Sequence, residues 1–148
     1  MRNYPQALND LLDDFDFVTT RNERVELLLD IASRFEPVPA RIATRPYPEE
    51  HRVPFCESDA YVWSEPRDDG TLKFYFAVEN PQGLSAQAMA VILDETLSGA
   101  PLEQVASVSP DIVLKIFGNE ISMGKGQGLM AMVTAVQNAA QRALAGRR

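Results

Sequence analysis

Apolar positions along this chain recur first with the spacing of a helix, then with that of a strand, then with that of a helix again. Leu8, Leu11, Leu12 and Phe15 fall on one stripe of a helix that begins near Pro5, a residue suited to a first turn. A second helix starts at Thr20, with Glu23 three residues later as the reciprocal partner of a capping pair. Its Val25, Leu28, Leu29 and Ala32 follow the i, i+3, i+4, i+7 rule of a core-facing stripe. The two stripes predict a helical hairpin.

The pattern then breaks. Pro37, Pro39, Pro46 and Pro48 each remove a backbone donor and disfavour helix at the residue before, so this stretch is expected to be a long ordered loop. From Ser58 to Ser64 the period becomes two, with Ala60 and Val62 on one side and Tyr61 and Trp63 on the other. Arg67-Asp68-Asp69-Gly70 supplies a turn, after which Leu72, Phe74, Phe76 and Val78 share a face. Alternation on both sides of an Asp-Gly turn predicts a β-hairpin, with its aromatic residues serving as core.

Helical spacing returns from about Ser85 to Leu97, stopped by Gly99. A short helix is expected after Pro101, and another from Ser109-Pro110-Asp111 to Gly118. The last runs from about Gln127 to Leu144, with Leu129, Met132, Val133, Val136, Ala140 and Ala143 as its buried stripe. Helices, hairpin and helices again give an α+β fold: a small antiparallel sheet, a hairpin plus a short strand, packed against several helices. At 148 residues the expectation is a single domain over 1–148.

Charge and cysteine content narrow the chemistry. The formal charge is −7 with only 14 Lys and Arg, which argues against nucleic acid as a partner, since that affinity rests on cations facing phosphates. No apolar run is long enough to span a bilayer, and the acidic, amphipathic start lacks a signal peptide's apolar core. One cysteine permits no internal disulfide, which fits a reducing compartment and a cytoplasmic protein. With one Cys and one His in the chain, neither a structural zinc site nor an iron–sulfur cluster has enough ligands.

Cys56 sits where the proline loop becomes the first strand, in Arg52-Val53-Pro54-Phe55-Cys56-Glu57-Ser58. Loops braced by a sheet often carry reactive groups, and a thiolate can hold an extra sulfur atom as a persulfide. A free cysteine also commonly serves as a small buried hydrophobe, and position alone leaves both readings open. Glu57 and Asp59 oppose a thiolate's charge while Arg52 and His51 favour it, so a thiol sheltered until a partner arrives is the expected state. His51 could pair with Cys56 as in a cysteine hydrolase, although no orienting group or oxyanion hole is apparent. Gly124-Lys125-Gly126-Gln127-Gly128 reads as a flexible lead into the final helix, with Lys125 able to meet an anion or a partner.

Together these segments resemble the SufE family of sulfur-acceptor proteins, from about Leu8 to Leu144. Leu11-Leu12-Asp13-Asp14-Phe15 and Asn22-Glu23-Arg24 look like the family's opening helices. Arg52 to Ser58 with Val62-Trp63 looks like its signature, Arg-Val-x-Gly-Cys-Gln-Ser before a Val-Trp pair. Leu97-Ser98-Gly99 with Glu103, Ile121-Ser122 and Gly128-Leu129-Met130-Ala131-Met132 match later segments.

The resemblance implies a SufE/IscU-like fold and a specific task. Members take persulfide sulfur from a cysteine desulfurase (SufS-like), stimulate it, and pass the sulfur to an iron–sulfur scaffold complex (SufBCD-like). The acceptor thiol falls on Cys56. Pyridoxal phosphate is then expected on the desulfurase only, and this chain acts as a stoichiometric carrier rather than a stand-alone enzyme. The alternative is a binding module that regulates a desulfurase or another partner without thiol chemistry. His51, Arg52, Phe55, Glu57 and Lys125 are the residues expected to shape the loop or meet the partner. Phe55 stands where the family has glycine, Glu57 where it has glutamine, Lys125 where it has arginine, and Pro81-Gln82-Gly83 where it has Ser-Asp-Ala.

Overall fold

In a computed structural model, residues 3–119 and 121–147 are described. Among these residues, six α-helices and one two-stranded sheet follow the order α1 Gln6–Asp16, α2 Arg21–Ala32, β1 Ala60–Pro66, β2 Leu72–Val78, α3 Leu84–Leu97, α4 Leu102–Ala106, α5 Ile112–Phe117 and α6 Met123–Ala145. A single 3-10 turn, Glu49–His51, precedes β1. The α+β architecture expected from the sequence is present.

The organising element is α3. Ala86, Ala88, Met89, Ala90, Val91, Ile92, Leu93 and Leu97 are all buried, so this helix is apolar on nearly every side. Helices α1, α2 and α6 and strand β2 pack around it. Complete burial of side chains such as Met89, Ile92 and Phe74 contributes about 1.5–3 kcal/mol each. The one buried polar side chain among the described residues, Thr96, donates its hydroxyl to the Ile92 carbonyl at 2.6 Å.

Strands β1 and β2 pair antiparallel in the register Ala60–Val78 to Pro66–Leu72. Ala60, Val62, Leu72, Phe74 and Phe76 turn to the helices, as alternation predicts. Trp63, Ala77 and Tyr75 turn the other way, where the proline loop covers them with Val38, Ile42 and Tyr47. The loop is tied down by a backbone bond from Val38 to Phe76 at 2.8 Å and by the ion pairs Arg41–Glu65 and Arg45–Glu79. Of the short third strand, only one antiparallel bridge forms, between Arg52 and Tyr61.

Three expectations are corrected. First, α1 and α2 do not pack mainly on each other. α1 lies on α3 and α5, and α2 lies on α3. Second, the face α2 buries is Ile31 and Ala32 with Leu27 and Leu28, whereas Val25 and Leu29 are 44% and 46% exposed. Apolar residues occur on most sides of α2, so spacing alone placed Leu28 and Ala32 correctly but not Val25 and Leu29, and it left out Leu27 and Ile31. Third, α6 begins at Met123 rather than Gln127, because the Ser122 hydroxyl caps the Lys125 amide at 3.3 Å. The glycine segment is therefore the first part of a helix and not a flexible lead.

A candidate thiol site at the loop-to-strand junction

Cys56 lies on the bend that joins the 3-10 turn to β1. Val53, buried beneath the bend, donates to the Ala60 carbonyl at 2.8 Å, and Asp59 donates to the Cys56 carbonyl at 3.3 Å. The far end is stitched to the chain after β2, where Glu79 donates to the Asp59 carbonyl and Asn80 to the Ser58 carbonyl, each at 3.1 Å. These bonds make the bend an ordered extension of the hairpin.

Two glycines let neighbouring elements approach it closely. A Cβ on Gly128 of α6 would stand 2.9 Å from the Cys56 Cα and 3.0 Å from the Phe55 carbonyl oxygen. On the opposite side, a Cβ on Gly83 would stand 2.7 Å from Val78 and 3.0 Å from the Ser58 Cβ. Only a missing side chain permits such contact, so α6 and the start of α3 clamp the bend between them. Neither glycine was assigned to the site from the sequence. For Gly128 the available signal is its place inside a helical pattern, since such a glycine usually has a packing reason; Gly83, just ahead of α3, carries no such signal.

Within the clamp the thiol is sheltered. Cys56 is 8% exposed and Phe55, the preceding residue, is 76% exposed. Phe55 and Asp59 adopt left-handed backbone, with φ of 62° and 52°. Aspartate visits that region readily, but a bulky aromatic residue there is a strained choice. Cys56 lines two hollows. One is a narrow cleft of about 160 Å³ shared with Glu57, Ser58, Asn80, Ser85 and Lys125. The other is an open depression of about 530 Å³ that also includes Arg52, Phe55 and Glu57.

The remaining expected residues separate into two groups. Glu57 and Lys125 are brought to the thiol's cleft, with opposite charges on exposed side chains. Arg52 shapes the bend instead, bonding Asp59 at 2.5 Å and lying 3.7 Å from Glu49. His51 is not joined to Cys56. Its Nδ1 meets the Val62 carbonyl at 3.0 Å and its ring stacks on Trp63 with centroids 5.2 Å apart, and it does not line the thiol's hollows. A Cys–His nucleophile pair is thus absent from this arrangement. Among the described residues no three His, Cys, Asp or Glu side chains gather as a metal site, and no helix is long and apolar enough to cross a membrane.

This arrangement can hold one sulfur nucleophile that is shielded on the protein side and approachable from the surface. A family model described as the SufE, Fe-S metabolism associated domain, matches residues 9–140. The chain belongs to the SufE family. Its association with iron–sulfur metabolism follows from that membership. No curated sequence matches this SufE-family chain. Among solved structures it is similar to the solution structure of a hypothetical protein from Thermus thermophilus, with a TM-score of 0.73 and 26% identity. That likeness covers 96% of this chain and 98% of the other. The left-handed φ of Phe55 also accounts for the glycine of the SufE signature at this position, since glycine adopts that backbone without strain.

Proposed function

We propose that this chain, acting as one domain over 1–148, carries sulfur on Cys56 between a SufS-like cysteine desulfurase and a SufBCD-like scaffold complex. The Cys56 thiolate attacks the outer sulfur of a persulfide on the desulfurase. A new S–S bond forms at Cys56, the donor's S–S bond breaks, and the donor cysteine leaves as a thiolate. The thiol proton of Cys56 ends on the donor sulfur. One persulfide and one thiol thus become one thiol and one persulfide, with no external oxidant or reductant. Onward transfer repeats the exchange with Cys56 as donor. Pyridoxal phosphate is the desulfurase's cofactor and takes no part on this chain.

The observation that carries this reading is the position of the lone thiol: 8% exposed, on a clamped bend, and bordering a surface depression. A second cysteine would compete by closing a disulfide, and the chain has none. The narrow cleft beside Cys56 is large enough for one added sulfur atom, and its walls shield a persulfide from stray thiols. Lys125 supplies a cation to that cleft, and Glu57 limits how strongly it attracts anions.

The test is intact and peptide mass spectrometry after incubation with a desulfurase and cysteine. A gain of about 32 Da on Cys56, removed by reductant, is expected. Cys56→Ala is expected to abolish the gain while retaining desulfurase binding. Stimulation of the desulfurase by Cys56→Ala equal to that by the wild type would instead establish a thiol-independent binding module.

A further inference from the structure

Beside the sheltered thiol stands an exposed aromatic ring. Phe55 is among the most exposed large apolar residues of the described chain, at 76%, and it directly precedes a cysteine that is only 8% exposed. It borders both the depression that holds Cys56 and a separate groove of about 710 Å³ between the bend and α6. That groove is lined by Val62, Met130 and Ala131 together with polar residues such as Gln127 and Arg142. Although it borders these apolar residues, the ring stays largely in solvent.

The backbone explains why. Residue 55 is held at φ 62° because its carbonyl oxygen and the Cys56 Cα seat against Gly128, and the cross-bonds from Val53 and to Asp59 close the bend around it. A left-handed residue projects its side chain differently from its extended neighbours. Here the result is a ring pointing out of the surface, at a conformational cost that glycine would not incur. An exposed ring and local strain at one position oppose stability twice over, so a gain elsewhere is needed to account for both.

We infer that Phe55 is the anchor by which the sulfur-donating desulfurase engages this chain. The inference rests on Cys56 being the acceptor. A donor must bring its outer sulfur within bonding distance of Cys56, and the phenyl ring stands on the adjacent residue at the rim of the thiol's open depression. A donor approaching from that side meets the ring before the thiol. An apolar slot in the donor that received the ring would remove it from water. It would also pull on the backbone bonded to Cys56 and turn the thiol outward. Phe55 is thus a positioning and specificity residue that does not touch the reacting atoms.

The experiment measures the rate of Cys56 persulfidation against two probes, persulfidated desulfurase at rising concentration and glutathione persulfide. Wild type, Phe55→Gly, Phe55→Ala and Phe55→Tyr are compared, with thermal unfolding recorded for each. Phe55→Gly and Phe55→Ala are expected to raise the half-saturating desulfurase concentration about tenfold, as loss of an interface aromatic does. Their rates with glutathione persulfide should stay at the wild-type value, and Phe55→Tyr should restore desulfurase saturation. Phe55→Gly should unfold at the same or a higher temperature, so that acceptance falls while stability does not. That divergence excludes a merely structural role.

Unchanged desulfurase saturation in Phe55→Gly and Phe55→Ala overturns the anchor while leaving Cys56 as acceptor. A faster reaction with glutathione persulfide at unchanged desulfurase saturation overturns it too, and makes the ring a lid. A Phe55-dependent dimer of this chain alone, seen by sedimentation, assigns the ring to self-association and overturns it. A wild-type chain that takes sulfur from neither probe overturns the acceptor role and the anchor together.

Discussion

Two bends flank strand β1, and they are built on opposite rules. The turn after it, Arg67 to Thr71, places glycine where the backbone must be left-handed, with Gly70 at φ 85°. Asp69 completes it by accepting the Thr71 amide at 3.0 Å and the Thr71 hydroxyl at 2.6 Å. The bend before β1 uses Phe55 and Asp59 at left-handed positions, and it carries the thiol. Gly99 and Gly118, which close helices elsewhere, follow the first rule. Among the described residues, every left-handed position away from Cys56 is glycine, and both exceptions bracket Cys56. A connection that only has to reverse the chain uses the cheapest residue. One that presents a side chain departs from it.

The largest expected break in that contrast is at the seat of the cysteine bend. Gly128→Val places a branched side chain against the Cys56 Cα and the Phe55 carbonyl, neither of which is a flexible tip. It should destabilise the fold by about 1–3 kcal/mol in denaturant unfolding. It should also raise the rate at which Cys56 reacts with a small thiol reagent, because the bend must lift away from α6.

The matching change in the ordinary turn is smaller. At Gly70 the nearest atoms to an added Cβ belong to the exposed Arg147 guanidinium, which can swing aside at the loss of its bond to the Gly70 carbonyl, so the backbone term is the larger one. Gly70→Ala should cost about 1 kcal/mol by the same measurement, with no change in thiol reactivity.

Phe55→Gly relieves left-handed strain of about 1–2 kcal/mol, against about 0.5–1 kcal/mol of extra unfolded-chain entropy. The net should be a gain of about 0.5 kcal/mol, read as a higher unfolding midpoint. A loss of stability there would show that the ring's packing outweighs the strain.

The smallest effect is a matter of pH. The Thr71 hydroxyl, followed by the Thr71 amide, holds the Asp69 carboxyl below the ordinary aspartate value. A carboxyl lowered in the folded state contributes stability that is present above its unfolded value and lost as pH falls through the folded one. Asp69→Asn should therefore flatten the acid side of the stability profile below the usual aspartate range, with its loss of stability largest at neutral and basic pH and shrinking as the wild-type carboxyl is protonated. Equal acid sensitivity in both proteins would remove Asp69 from the account.

Much of this architecture was legible because it rests on local rules. Alternation around Asp69-Gly70 places β1, β2 and their two faces. The near-continuous apolar run of α3 marks a buried helix, and Ser122 could have marked the true start of α6 had the glycines after it not argued for a loop. The resemblance of Arg52 to Ser58 to a known signature singled out Cys56. What failed did so for tertiary reasons. The face of α2 depends on which neighbour covers it: Leu28 and Ala32 are covered as expected, but Ile31 is buried where Val25 and Leu29 are exposed. His51, five residues from Cys56, is drawn off by Trp63 and the Val62 carbonyl, which no spacing reveals.

The kinds of element, their order and the identity of the lone cysteine nucleophile can all be read from residue order, because periodicity, turn chemistry and residue count are local properties. Packing between distant segments buries the thiol that the sequence led one to expect sheltered, turns Phe55 outward at a left-handed position, and brings Glu57 and Lys125 to one cleft. Those outcomes depend on how closely α6 and the start of α3 can approach the bend. Gly128 and Gly83 permit that approach, and they do so from stretches of chain far from Cys56 in sequence.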